Sequence, residues 1–200
     1  MDIRRINSQI SVTGQIRPMD IAPIKRLGFV GIINNRPDGE APDQPLSAQI
    51  RLAANAMGID YHHIPLGHDG VSRELIVQTR ETLMESAGPI LAFCRLGPRS
   101  VTLWALSQAD MATNETIFAQ AAQAGYDITH LSQLLADERL QARPAAQAVT
   151  SAGFRCPVNA SARPWAISGP NLKPWPEQAL RTQAALPIGS TTKRSSSATV

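Results

Sequence analysis

Two hundred residues, 43% of them hydrophobic and 18% charged, suffice for one domain with a proper core and some chain to spare. No apolar run reaches membrane-spanning length, and Met1-Asp2-Ile3-Arg4-Arg5 lacks a signal-peptide stretch, so a cytoplasmic location with no membrane partner is expected. The net charge of +3 is unevenly divided: residues 1–138 carry 11 basic and 15 acidic side chains, residues 139–200 carry 8 and 1, which argues against a nucleic-acid partner for the folded part.

The 2 cysteines, Cys94 and Cys156, are too few for a disulfide framework or a zinc cluster. The 4 histidines show no metal-ligand spacing, since His62 and His63 would face opposite sides of a strand. No metal or cofactor is expected.

In chain order, Gln9 to Val12 reads as a short edge strand broken by Gly14, and Pro18 to Leu27 as a helix stopped by Gly28. Phe29 to Asn34 is an almost continuous apolar run, the pattern of a strand buried on both faces of a parallel sheet. Turn chemistry follows in Asn35-Arg36-Pro37-Asp38-Gly39-Glu40. Leu46 to Met57 has helical spacing, Ile59 to Leu66 reads as a strand, and Gly67-His68-Asp69-Gly70 is a loop with an ionisable tip. A helix from Ser72 to Met84 then leads to Gly88-Pro89 and the apolar strand that ends at Cys94. Alternating strands and helices predict an α/β fold with a mostly parallel central sheet flanked by helices, and a ligand site at the C-terminal strand ends.

Helices are also expected from Ser100 to about Asp110, from Asn114, and briefly from Ile128 to Leu135. Beyond that, prolines punctuate a basic stretch rich in Ala, Ser and Thr, so the chain divides into a domain over 1–138 and a poorly ordered tail over 139–200. Trp165 and Trp175 in that tail are either exposed or docking aromatics.

The informative segment is Cys94-Arg95-Leu96-Gly97-Pro98-Arg99-Ser100, between a buried strand and a helix. Backbone N–H groups of such a loop and of the helix start converge on one concavity and favour an anion. The same field stabilises a thiolate, so Cys94 is a candidate nucleophile with Arg95, Leu96 and Gly97 lining the cradle. Arg99 presents a planar fork to two oxygens of an oxyanion, and Ser100 can donate a hydrogen bond to the sulfur. A lone strand cysteine that only fills core is the competing reading.

These residues, with Ile33-Asn34-Asn35-Arg36-Pro37-Asp38-Gly39-Glu40 before them, resemble the bacterial phosphatase-like domain that precedes a metallo-β-lactamase-fold hydrolase in some proteins. That family belongs with the dual-specificity cysteine phosphatases. The resemblance covers about residues 3 to 137. It implies a cysteine-phosphatase-like fold, a small oxyanion or phosphoester substrate, and a metallo-β-lactamase-fold partner. Cys94 matches the nucleophile, Arg99 the oxyanion-binding arginine and Ser100 the assisting hydroxyl. Asp69 lies where these enzymes carry their general acid, although a turn residue before Gly70 explains it equally. Arg36 and Asp38 either line the cleft or form a buttressing ion pair.

The sequence departs from that pattern at the loop. Phosphatases of this class place five residues between cysteine and arginine, and here there are four, one of them Pro98 without an N–H. Rhodanese-type sulfurtransferases have this shorter loop and carry sulfur as a cysteine persulfide. Phe93 stands where phosphatases have a histidine. Three functions therefore remain open: a phosphatase-like hydrolase, a sulfurtransferase, and a catalytically weak anion-binding module.

Overall fold

The protein, seen as a computed structural model, is described over residues 1–151, with side chains to Ala142. Five strands form one sheet: β1 (Arg4–Arg5), β2 (Ile10–Thr13), β3 (Gly31–Asn34), β4 (Asp60–His63) and β5 (Ile90–Phe93), ordered β1-β2-β5-β3-β4. All neighbouring pairs are parallel except β1 with β2. The helices are α1 (Ile21–Arg26), α2 (Ser47–Ala56), α3 (Arg73–Glu85), α4 (Pro98–Ser107), α5 (Asn114–Gln123) and α6 (Ser132–Ser151). The fold is α/β with a mostly parallel sheet flanked by helices, as the alternation of elements requires.

Burial explains the strand sequences. Every residue of β2, β3 and β5 is buried, whereas the edge strand β4 is partly exposed. Continuous apolar runs such as Ile32-Ile33 and Ile90-Leu91 therefore have both faces covered, and each such side chain contributes about 1.5–3 kcal/mol of hydrophobic stabilisation. α4 adds Val101, Leu103, Trp104, Ala105 and Leu106 to the core. Capping fixes helix starts: the Ser72 hydroxyl accepts from Leu75 N–H before α3, and Thr113 does so from Thr116 N–H before α5.

The register positions the site. Thr13, Phe93, Asn34 and His63 lie in one cross-strand row at the C-terminal ends of β2, β5, β3 and β4. Gly14, Cys94, Asn35 and Ile64 thus leave the sheet at the same edge, with Cys94 on the central strand.

Three expectations change. The strand near Gln9 is not an edge, because β1 pairs outside it; two arginines give no apolar alternation by which β1 would be read. The helix after the cysteine loop begins at Pro98, a residue whose missing N–H is no loss in a first turn. The final helix, expected over Ile128 to Leu135, runs instead from Ser132 to Ser151, and its packed side chains include Glu138 and Arg139. Cys156, Trp165, Trp175 and the expected poor order of the tail lie outside the described residues.

Candidate active site

Cys94 is the first residue after β5, and its side chain is buried. The loop beyond it turns back so that Gly97 N–H donates to Cys94 Sγ over 3.1 Å. That turn needs Gly97 at φ +112°, a left-handed conformation that an L side chain would strain. A second constraint acts on the same atom. A Cβ on Gly97 would overlap the Tyr126 hydroxyl and lie 3.3 Å from Val12 Cγ1. Arg95 and Leu96 are exposed on the loop's rim. The Arg95 carbonyl accepts from Gln15 N–H at 3.2 Å, which ties the loop to the end of β2. Gly97 O accepts from the N–H groups of Ser100 and Val101, while among the described hydrogen bonds none uses the N–H of Leu96 or Arg99.

Arg99, in the first turn of α4, is held from two loops. Its Nη1 donates to Glu40 Oε1 at 2.6 Å and to the Leu66 carbonyl at 2.9 Å, and its Nη2 donates to Glu40 Oε2 at 2.8 Å. A guanidinium has five N–H groups. These bonds use three and leave Nε–H and the second Nη2–H, which share one edge of the plane. The Glu40 hydrogen bond raises the Arg99 pKa most, burial opposes it, and Cys94 contributes through its charge and a hydrogen bond.

Glu40 is the residue that sequence reasoning left without a role. Its carboxylate also accepts from Arg36 Nε at 2.8 Å, and its side chain is only 18% exposed. The Arg99 hydrogen bond, helped by Arg36 and opposed by burial, holds the carboxyl at about 2. It is therefore ionised at neutral pH and has no proton to donate. No short-range signal marks this: Arg99 is 59 residues away in sequence.

The remaining expected residues divide clearly. Arg36, 5% exposed, gives Nε to Glu40 and Nη1 to Gln15 Oε1 at 2.8 Å, so its ion pair is with Glu40 rather than Asp38 and it reaches Arg99 through Glu40. Asp38 Oδ1 accepts at 2.8 Å from the N–H of Ser47, the first residue of α2, and so satisfies one free donor at that helix start. Ser100 is buried, and its Oγ has no hydrogen-bond partner, which costs about 1–3 kcal/mol for such a hydroxyl. Asp69 sits exposed in the β4–α3 connection, without a hydrogen bond or ion pair among the described residues. Its loop is nonetheless anchored at the site, because Leu66 N–H donates to Asn35 O and Leu66 O accepts from Arg99.

Among the described residues no cluster of three or more His, Cys, Asp or Glu side chains is placed to hold a metal, and no helix is long and apolar enough to cross a membrane.

Residues 2–111 match the family described as beta-lactamase hydrolase-like protein, phosphatase-like domain. The chain is 38% identical over 105 residues to a beta-lactamase hydrolase-like protein of Agrobacterium fabrum, which covers 52% of this chain and 24% of that protein. It thus spans about a quarter of the length of that relative. Among solved structures, a candidate phosphatase of Neisseria meningitidis is 28% identical with a TM-score of 0.61, covering 70% of this chain and 99% of that one. PTPMT1, at 13% identity and a TM-score of 0.56, covers 74% of this chain and 99% of its own, which shows a shared fold.

Proposed function

The chain belongs to the phosphatase-like domain family of the beta-lactamase hydrolase-like proteins, and from that premise we propose that it is a cysteine-dependent phosphatase-like hydrolase with Cys94 as nucleophile. The observation that carries the reading is the Gly97 N–H aimed at Cys94 Sγ. A donor on the sulfur favours its charged form.

In the first step the Cys94 thiolate attacks phosphorus, an S–P bond forms and the bond to the leaving oxygen breaks. Asp69 gives its proton to that oxygen. In the second step Asp69 takes a proton from water, whose oxygen attacks phosphorus, and the S–P bond breaks to return the thiolate. The Nε–H and Nη2–H edge of Arg99, which the Glu40 and Leu66 bonds leave over, binds two non-bridging oxygens in both steps, and the Leu96 and Arg99 amides supply further donors. Ser100 Oγ, buried without a partner, donates to the departing sulfur. Glu40, already ionised, orients Arg99, and Arg36 steadies Glu40.

One feature favours a second reading. With four residues between Cys94 and Arg99, and Pro98 among them, the cradle has fewer donors than a phosphoryl group uses elsewhere in the superfamily. Such a loop suits a persulfide. The Cys94 thiolate would attack the outer sulfur of thiosulfate, form a Cys94 S–S bond and release sulfite.

Phosphate release from an aryl phosphate tests the first reading. Wild type should turn over and Cys94→Ser should not. Oxyanion binding without turnover in wild type would reduce the site to an anion-binding module.

A further inference from the structure

Tyr126 follows α5 and lies beyond the residues 2–111 that match the family. Its hydroxyl occupies the notch left by the missing side chain of Gly97, and its Cζ is 3.1 Å from where that Cβ would be. Val12, from β2, forms the other wall at 3.3 Å. Gly97 is the residue whose N–H reaches Cys94 Sγ. Tyr126 is therefore packed directly against the loop at Gly97.

Tyr126 is itself held. Arg4 of β1 lies over its ring at 5.2 Å from the centroid, a cation–π contact, and Asp2 Oδ2 accepts from Arg4 Nε at 2.9 Å. Gly125, at φ +82°, keeps the space open: a Cβ there would come within 3.1 Å of Arg4 Nη1. Tyr126 N–H donates to Ala121 O at 2.9 Å, which fixes the backbone. Burial pushes the phenol above its ordinary value, Arg4 opposes this, and the charge of Cys94 adds to it. The phenol is thus within electrostatic reach of the thiol and stays protonated at neutral pH.

We propose that Tyr126 is a positioning residue for the nucleophile: by filling the Gly97 notch it holds the loop in the left-handed turn that aims Gly97 N–H at Cys94 Sγ. The role rests on the thiolate reading of Cys94. It works through Gly97, since Tyr126 makes no hydrogen bond to the sulfur among those described. With the notch empty the loop relaxes and Sγ loses the Gly97 N–H that would stabilise negative charge on it.

The test is the rate of Cys94 alkylation by iodoacetamide at pH 6 relative to pH 9, in the full chain. Tyr126→Phe keeps the ring under Arg4 and removes only the hydroxyl; Tyr126→Ala empties the notch. The relative rate at pH 6 should fall about threefold in the first and about tenfold in the second, a tenfold change corresponding to one unit of proton affinity. Thermal unfolding of Tyr126→Phe within a few degrees of wild type excludes a general loss of fold. Wild-type behaviour of both variants would overturn the Tyr126 role while leaving the thiolate reading intact. A wild type that alkylates at pH 6 no faster, relative to pH 9, than free cysteine would overturn both.

Discussion

Glu40 grips Arg99 through both carboxylate oxygens, at 2.6 and 2.8 Å, and leaves the Nε–H and second Nη2–H edge of the guanidinium outside the pair. The same carboxylate neutralises the buried Arg36. Removing it should act on two levels. Glu40→Ala leaves Arg36 buried without its carboxylate partner and should destabilise the fold by about 3 kcal/mol, read by urea unfolding. Glu40→Gln keeps the shape and should unfold less readily than Glu40→Ala, yet lower aryl phosphate turnover by about a hundredfold through misplacement of Arg99.

The depressed carboxyl of Glu40 also predicts an acid limb. Its native value of about 2 lies below the ordinary 4.5, so between these values the unfolded chain binds the extra proton. Its contribution to stability is therefore complete above about 4.5 and is lost as pH falls toward 2. Unfolding free energy measured from pH 6 to pH 2.5 should fall less steeply in Glu40→Gln than in wild type.

Asp69 is exposed and makes no hydrogen bond or ion pair among the described residues. Asp69→Asn should leave thermal stability unchanged and lower turnover of an aryl phosphate by about 10²–10⁴, with substrate binding retained. An unchanged rate would remove Asp69 from the mechanism and point to water as the acid.

Ser100 sets function against stability. Its buried hydroxyl lacks a partner, so Ser100→Ala relieves an unsatisfied group and should stabilise the protein by up to about 1–2 kcal/mol. The same substitution should slow breakdown of the cysteinyl intermediate, visible in single-turnover kinetics as a longer-lived adduct.

The end of the domain is testable too. Arg139 donates to Asn114 Oδ1 at 2.6 Å and to Ala112 O at 2.8 Å, and Arg73 donates to the Gln141 side chain and carbonyl. A chain ending at Glu138 should unfold about 1–3 kcal/mol more easily than one ending at Ser151, as it lacks these bonds.

The parallel sheet and the place of Cys94 were readable in the sequence because they rest on local patterns. Ile32-Ile33 and Ile90-Leu91 are continuous apolar runs, and Cys94 is followed at once by a loop and a proline-started helix. What the sequence concealed rests on contacts between distant residues. Glu40 meets Arg99 across two loops, and Tyr126 meets Gly97 only once α5 has packed. Arg36 and Asp38, read in the sequence as cleft-lining or as a buttressing ion pair, are bonded to Glu40 and to the start of α2. The four-residue loop made phosphate chemistry look weak. The folded loop adds the Gly97 donor on the sulfur and a free guanidinium edge, neither of which spacing alone reveals.

If Cys94 accepts a phosphoryl group, intact-mass spectrometry after rapid acid quench of the protein with an aryl phosphate should reveal it. An adduct of one phosphoryl group is expected on wild type, located on Cys94 and absent from Cys94→Ser. No phosphoryl adduct and no phosphate release, together with a single added sulfur on Cys94 after thiosulfate, would contradict it.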